Sequence, residues 1–336
     1  MNSTHHYARR DALRIGLGGL ALGALPAAAQ GGLKPVNIVN TASNTTFALQ
    51  ELLKQQGYLR EFGLDATTLN VGDGVKLLGA LLSGASDICL LSGFGQIFPA
   101  IDKGGRFKLI AGGGILPAHA VYSRNDAVKT LKDLEGKYVG CGAPGALLHQ
   151  FMVAALRKHD VDLKKVQFVN IGSSADVFRA VAAGKVDAGP SLIDASAELE
   201  KYKVHVVAEL WKEIPEFSWQ GSYTTDMAIE KKRDELVRTL AAYAKLYRFI
   251  SGPDSREPFI HAYTTAIKQA DPAQAEIQWR FAQDNKAAYS VDLVMSEERV
   301  RYMQQLNVDT GVQKTILPFD KVADMSLARD ALKLLS

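Results

Sequence analysis

Tyr138-Val-Gly-Cys-Gly-Ala-Pro-Gly-Ala-Leu-Leu-His-Gln-Phe-Met-Val-Ala-Ala-Leu-Arg-Lys158 is the stretch whose reading decides the fold. It begins as a short apolar strand, passes through a Gly/Pro turn and continues as a helix. Leu148, Phe151, Met152, Ala155 and Leu156 recur at i, i+3 and i+4, which gives the helix one apolar face. Pro144 stands just before it, where a fixed φ suits a first turn and a missing N–H costs nothing. Gly142 and Gly145 remove side chains and open the backbone N–H groups to a guest. Arg157 and Lys158 close the helix on the side its dipole favours. A helix that opens after a parallel strand is a site for an anion or polar group, although an ordinary βα turn reads the same way.

Outward from this stretch the pattern repeats. Strands are expected at 36–39, 64–69, 87–91 and 107–111, with helices between them, the first ending at Gly57 and the second at Gly84. A second α/β run follows, with strand 138–141, helix 145–158, strand 166–169, helix 174–183 and strand 186–189. Alternation of this kind means mostly parallel sheets covered on both faces. Ala80-Leu-Leu-Ser-Gly84-Ala-Ser-Asp87-Ile88 and Ala180-Val-Ala-Ala-Gly184-Lys-Val-Asp187-Ala188 share a plan. In each, a helix ends on a Gly suited to positive φ and an Asp opens the next strand. Two such units a hundred residues apart predict two similar lobes. The segment 118–124 crosses from the first to the second, and 219–225 crosses back. Beyond Asp226 the chain is expected to be helical, finishing the first lobe and wrapping its back.

The N-terminus is expected to be an address. Ala8-Arg9-Arg10-Asp11-Ala12-Leu13-Arg14 is a twin-arginine pattern, followed by a mildly apolar run and the small-residue site Pro26-Ala27-Ala28-Ala29. Residues 1–29 therefore read as a signal peptide, 30–121 with 224–336 as the first lobe, and 122–223 as the second. The whole chain carries a formal charge of +3, and removing a segment with Arg9, Arg10 and Arg14 against Asp11 leaves it near neutral, so no nucleic-acid partner is indicated. Cys89 and Cys141 lie in apolar runs and read as buried free thiols.

In open parallel sheets a ligand sits beyond the carboxyl ends of the strands. The loops there are Thr41 to Thr45 and Ser92-Gly93-Phe94 from the first unit, with Gly142 to Ala146, Ser173-Ser174 and Pro190-Ser191 from the second. They are rich in hydroxyls and small residues, as turns in general also are. His149 reads as a surface helix residue or as a donor near the helix start, and His119 beside the first crossing is undecided. Trp219 and Tyr223 at the second crossing stack on a ligand or pack the hinge. Enzyme signatures are missing: no phosphate loop, no zinc-protease motif, no nucleophile elbow and no metal spacing, so neither a catalytic residue nor a cofactor is expected. A Cys141–His149 nucleophile pair is disfavoured by geometry.

Three further stretches carry a resemblance. Gln56-Gly-Tyr-Leu-Arg-Glu-Phe-Gly-Leu-Asp65, Leu131-Lys-Asp-Leu-Glu-Gly-Lys-Tyr-Val-Gly140, and Gly172-Ser-Ser-Ala-Asp176 with Ala183-Gly-Lys-Val-Asp-Ala188 follow in order. They resemble the exported binding proteins for nitrate, sulfonates, taurine and thiamine precursors. The resemblance implies an α/β two-lobe periplasmic-binding-protein fold of type II, with two hinge crossings. It implies a monomer that delivers a small molecule from the periplasm to an ABC permease in the inner membrane. It also implies a cleft lined by Thr41, Asn44, Thr45, Ser92, Gly93, Phe94, Pro144, Gly145 and Ala146. To these the strand-end argument adds His149, Ser173, Ser174, Pro190, Ser191, Trp219 and Tyr223. The expected solute is a sulfonate- or taurine-like anion, ahead of an aromatic carboxylate or pyrimidine. No arginine lies in these loops to pair with it, and no titratable acid or base of the kind a dehydratase on the same fold needs. The aromatic cluster of some thiamine-precursor binders and the Cys-rich stretch of the fungal pyrimidine synthases are both lacking.

Overall fold

The structure, a computed structural model, describes residues 32–335, so the expected signal peptide lies outside the described residues. The first run is β1 (Lys34–Thr41), α1 (Asn44–Gln55), α2 (Tyr58–Glu61), β2 (Leu64–Val71), α3 (Gly74–Leu82), β3 (Ile88–Ser92), α4 (Ile97–Asp102) and β4 (Phe107–Gly112). The second is β5 (His119–Ser123), β6 (Tyr138–Cys141), α5 (Leu147–Lys158), β7 (Gln167–Asn170), α6 (Ser174–Ala182), β8 (Ala188–Leu192), α7 (Leu199–Tyr202), β9 (His205–Glu209) and α8 (Leu210–Glu213). After β10 (Gly221–Thr225) come α9 (Asp226–Ile250), α10 (Arg256–Ala266), α11 (Pro272–Asp284), α12 (Glu297–Asp309), α13 (Phe319–Val322) and α14 (Ser326–Lys333).

Two five-stranded sheets result, in the orders β2-β1-β3-β10-β4 and β7-β6-β8-β5-β9. Their plans are the same. In each, one strand runs against its neighbours: β10 is antiparallel to β3 and β4, and β5 to β8 and β9. Both odd strands are the crossing segments, which is how a mostly parallel sheet acquires one antiparallel member.

The repeated Gly–Asp signature has a structural counterpart. Gly84 and Gly184 hold φ of 73° and 67°, a left-handed conformation that ends each helix. Asp87 then donates its N–H to Asn37 O (2.7 Å) and accepts Asn37 N on its carboxylate (2.8 Å). Asp187 does the same to Tyr138, at 2.8 and 2.9 Å. Each Asp thus clips the start of the third strand of its unit to the first. The crossing strands join in, because Thr224 and Ser123 donate their hydroxyls to the carbonyls of Asp87 and Asp187.

The helix α5 departs from the single apolar face expected of it. Every residue from Leu148 to Leu156 is buried, because α8 and α12 also pack on it. The C-terminal helices reach correspondingly further than the back of the first sheet. Helix α10 lies on α1 and α14 on α9, whereas α11 packs on the 3₁₀ turn Ile193–Glu198 that follows β8. Both cysteines are buried and free, and burial pushes the Cys141 thiol up to about 12 and Cys89 further.

Candidate functional site

The loops at the strand ends of the two sheets meet along a seam. A Cβ placed on Gly93 would stand 3.0 Å from Leu147 Cδ1, and one on Gly95 2.3 Å from Gly145 O. The turn after β3 therefore lies directly on the turn that starts α5. Gly is required there because two backbones approach to within a methyl group. Thr41 at the end of β1 donates to Leu91 O (3.2 Å), and Ser92 is buried beside it. Asn44 opens α1 and points its amide at Asp194 Oδ2 and Tyr263 Oη, each 3.4 Å away. Thr45 is buried and donates to Gln278 Oε1 (3.2 Å).

The second sheet's loops differ from expectation in three ways. His149 is not at the surface: it is 9% exposed, its ring stands edge-on to Phe168, and burial lowers its pKa. Its Nδ1 accepts the Gly145 N–H (3.2 Å), while the Ala146 N–H donates to Ala143 O (2.9 Å). Two of the backbone donors expected for an anion are thus engaged inside the turn, with Pro144 exposed beside them. Pro190 and Ser191 are not loop residues but buried parts of β8, opposite Val121 and Ala120. The strand pairs with β6 at Ala188 alone, so past that point a residue without an N–H is tolerated. Ser173 is exposed and caps α6, exchanging hydrogen bonds with Asp176. Ser174 does face the seam, with its hydroxyl 3.3 Å from His119 Nε2, and Ser191 donates to its carbonyl (2.8 Å).

The aromatic candidates pack instead of lining an opening. Phe94 stacks on Phe98 and tilts against Tyr223, all buried in the core of the first sheet. Trp219 is 2% exposed and meets the His119 ring edge-on at 5.3 Å. His119 also touches Phe151, and burial brings its pKa down to about 3, so its imidazole is neutral. Its Nδ1 has no hydrogen-bond partner.

Sequence reasoning overlooked the group with the most chemistry. Asp194, two residues past β8, is 4% exposed and accepts the Tyr263 hydroxyl at 2.6 Å. Burial raises its pKa. The seam therefore does hold a titratable acid, against expectation. Reading the last strand-end loop three residues further would have found it. Tyr263 and Gln278 had no such signal, because they arrive from α10 and α11, whose docking no local pattern reveals. A cavity of about 240 Å³ lies to one side, between Ala120, Tyr122 and Ile193 of the second unit and Ile277 and Phe281 of α11.

A family model described as NMT1/THI5 like matches residues 43–254, more than half of the chain. The chain belongs to the NMT1/THI5-like family. The matched span contains both sheets' strand-end loops apart from Thr41 and Ala42, and it stops short of Tyr263 and Gln278. YtlA of Bacillus subtilis (strain 168), provisionally named a binding protein, is 22% identical over 88% of this chain and 89% of its own. The periplasmic aliphatic sulphonate binding protein SsuA from Escherichia coli superposes with a TM-score of 0.71 at 18% identity, covering 88% of this chain and 99% of that one. The desulfurization enzyme DSZB shares the fold as well, with a TM-score of 0.64 at 14% identity over 90% and 100% of the two chains. These likenesses establish the periplasmic-binding-protein fold for this NMT1/THI5-like chain.

Proposed function

We propose that this NMT1/THI5-like protein is the exported solute-binding component of an ABC import system. In this reading it captures a small organic anion, sulfonate- or taurine-like, between two lobes and hands it to a membrane permease. The lobes are 30–121 with 224–336, and 122–223, with β5 and β10 carrying the chain between them. The observation that carries the reading is the seam itself. Two sheets of identical plan meet at their strand-end loops, where the turn after β3 lies on the turn before α5 and Asn44 reaches Asp194. The family and the fold of the sulphonate-binding neighbour support it. The same fold also hosts DSZB, an enzyme, so catalysis is the competing outcome.

The test is a thermal-shift screen of protein purified from the periplasm against sulfonates, taurine, nitrate, aromatic acids and pyrimidines. A solute at a hundred times its Kd adds about 2.7 kcal/mol, or about 4 °C in a chain of this size. An Asn44→Trp variant should lose that shift while keeping its far-UV circular dichroism. Silence across the panel together with turnover of one of the acids would replace the transport reading with an enzymatic one.

A further inference from the structure

The cavity beside the seam is bounded by Ala120, Tyr122 and Ile193 of the second unit and by Trp211, Ile277 and Phe281, and measures about 240 Å³. None of Thr41, Asn44, Thr45, Ser92 and Asp194 lines it. It does share walls with the seam. Ile193 borders the cavity while Asp194 beside it reaches Asn44, and Ile277 borders it while Gln278 accepts from Thr45. Packed interiors keep few voids larger than a water molecule, so a space of this size between closely packed elements is unusual.

Its lining fits an aromatic guest. Ala120, Tyr122, Ile193 and Phe281 are buried, and the Trp211 and Phe281 rings meet edge-on with centroids 5.3 Å apart. Polar groups of the lining are already engaged. Tyr122 donates its hydroxyl to Leu192 O (3.0 Å), Ser196 to Ile193 O (2.6 Å), and the Asn285 amide to Phe281 O (3.0 Å). Arg280 is held by Glu276 at 2.9 Å, and Glu209 by Lys212. Asp284 is exposed, and its charge opposes an incoming anion. A charged guest would therefore lose its hydration without gaining a counter-ion, whereas an uncharged ring loses nothing. An apolar cavity of about 150 Å³ takes in benzene, so this one has room for a second fused ring. We infer that the cavity is a second binding site, separate from the seam, for a small uncharged aromatic molecule of one or two rings. It holds whether or not the seam captures an anion.

The experiment is calorimetry on protein purified from the periplasm, with indole against indole-5-carboxylate and 4-methylphenol against 4-hydroxybenzoate. At least one neutral member should bind one to one with a Kd of about 1 mM or tighter, and its carboxylate about tenfold or more weakly. Val206→Trp and Ile277→Trp, each placing an indole at the cavity's lining, should weaken the neutral ligand about tenfold or more while melting cooperatively. Asn44→Trp, in the seam, should leave that affinity unchanged. Should either cavity variant fail to fold, nuclear Overhauser effects in the wild-type protein decide, and they should join bound 4-methylphenol to the methyl groups of Ile193 and Ile277. No binding of either neutral ligand, equal affinity for the carboxylates, or Overhauser effects to Thr41 and Thr45 instead would overturn the second site.

Discussion

At the residue scale the seam holds one buried acid, Asp194. Asp194 in the free protein has its pKa raised by burial, so its neutral form is favoured on folding. Stability from that preference is present below the unfolded pKa and is lost as pH rises through the folded one. Asp194→Asn is free of that loss. Ligand-free Asp194→Asn should therefore melt higher than wild type at pH 7 and no higher at pH 4. A lower melting temperature at both pH values would show that the carboxylate earns its place structurally. The cysteines give a simpler forecast. With both thiols buried and shifted upward, neither should react with a water-soluble thiol reagent in the native state at pH 8, and both should react on unfolding. Reaction of one thiol in the native state would locate an opening of the sheet that holds it.

At the element scale the two Asp clips are equivalent in geometry and unequal in energy. Asp87 holds Lys232, at a break in α9 where Lys232 has non-helical φ and ψ, whereas Asp187 holds the neutral amide of Asn125 at 2.8 Å. Asp187→Ala should cost about 1–2 kcal/mol, the loss of two hydrogen bonds at a half-buried site. Asp87→Ala strands a partly buried ammonium as well and should cost about 1–2 kcal/mol more, read from urea unfolding. Equal losses would mean that Lys232 is adequately solvated without its partner. The glycines at the strand ends divide in the same manner. Gly184 has open space where a Cβ would go, so Gly184→Ala pays about 1 kcal/mol for its left-handed φ alone. Gly145 has φ of 77° and Val312 2.8 Å from its Cβ position, so Gly145→Ala must also displace Val312 and should lose more.

At the scale of the whole molecule, the proposed function requires the two sheets to part along the seam, where the turn after β3 lies on the turn before α5. Gly95 is its narrowest point, with backbone on both sides. A Gly95→Val variant should keep the circular dichroism of both sheets, increase the radius of gyration seen by small-angle X-ray scattering, and lose solute binding. Unchanged scattering with unchanged binding would mean that the seam is not where the molecule opens.

Seven strands, the two crossings and the doubling of the unit were legible in the amino acids, because periodicity and Gly or Asp punctuation act over a few residues, whereas the edge strand β9 was not. The equivalence of Gly84–Asp87 with Gly184–Asp187 is the clearest case, since each clip forms between neighbours within one sheet. The strand-end rule likewise pointed to Asn44, Gly93 and Gly145, which stand where the loops of the two sheets meet. What escaped was everything settled by a partner distant in the chain. Whether His149 faces water depends on Phe168 and on the packing of α8 and α12 around α5. Whether Phe94 and Tyr223 line an opening depends on Gly221 making room for a ring. The role of Asp194 depends on Tyr263 and Gln278, which come from helices docked more than sixty residues downstream. Local order follows from short-range sterics and hydrogen bonding, but burial, and with it the charge state of a side chain, exists only once the sheets and helices have closed around it.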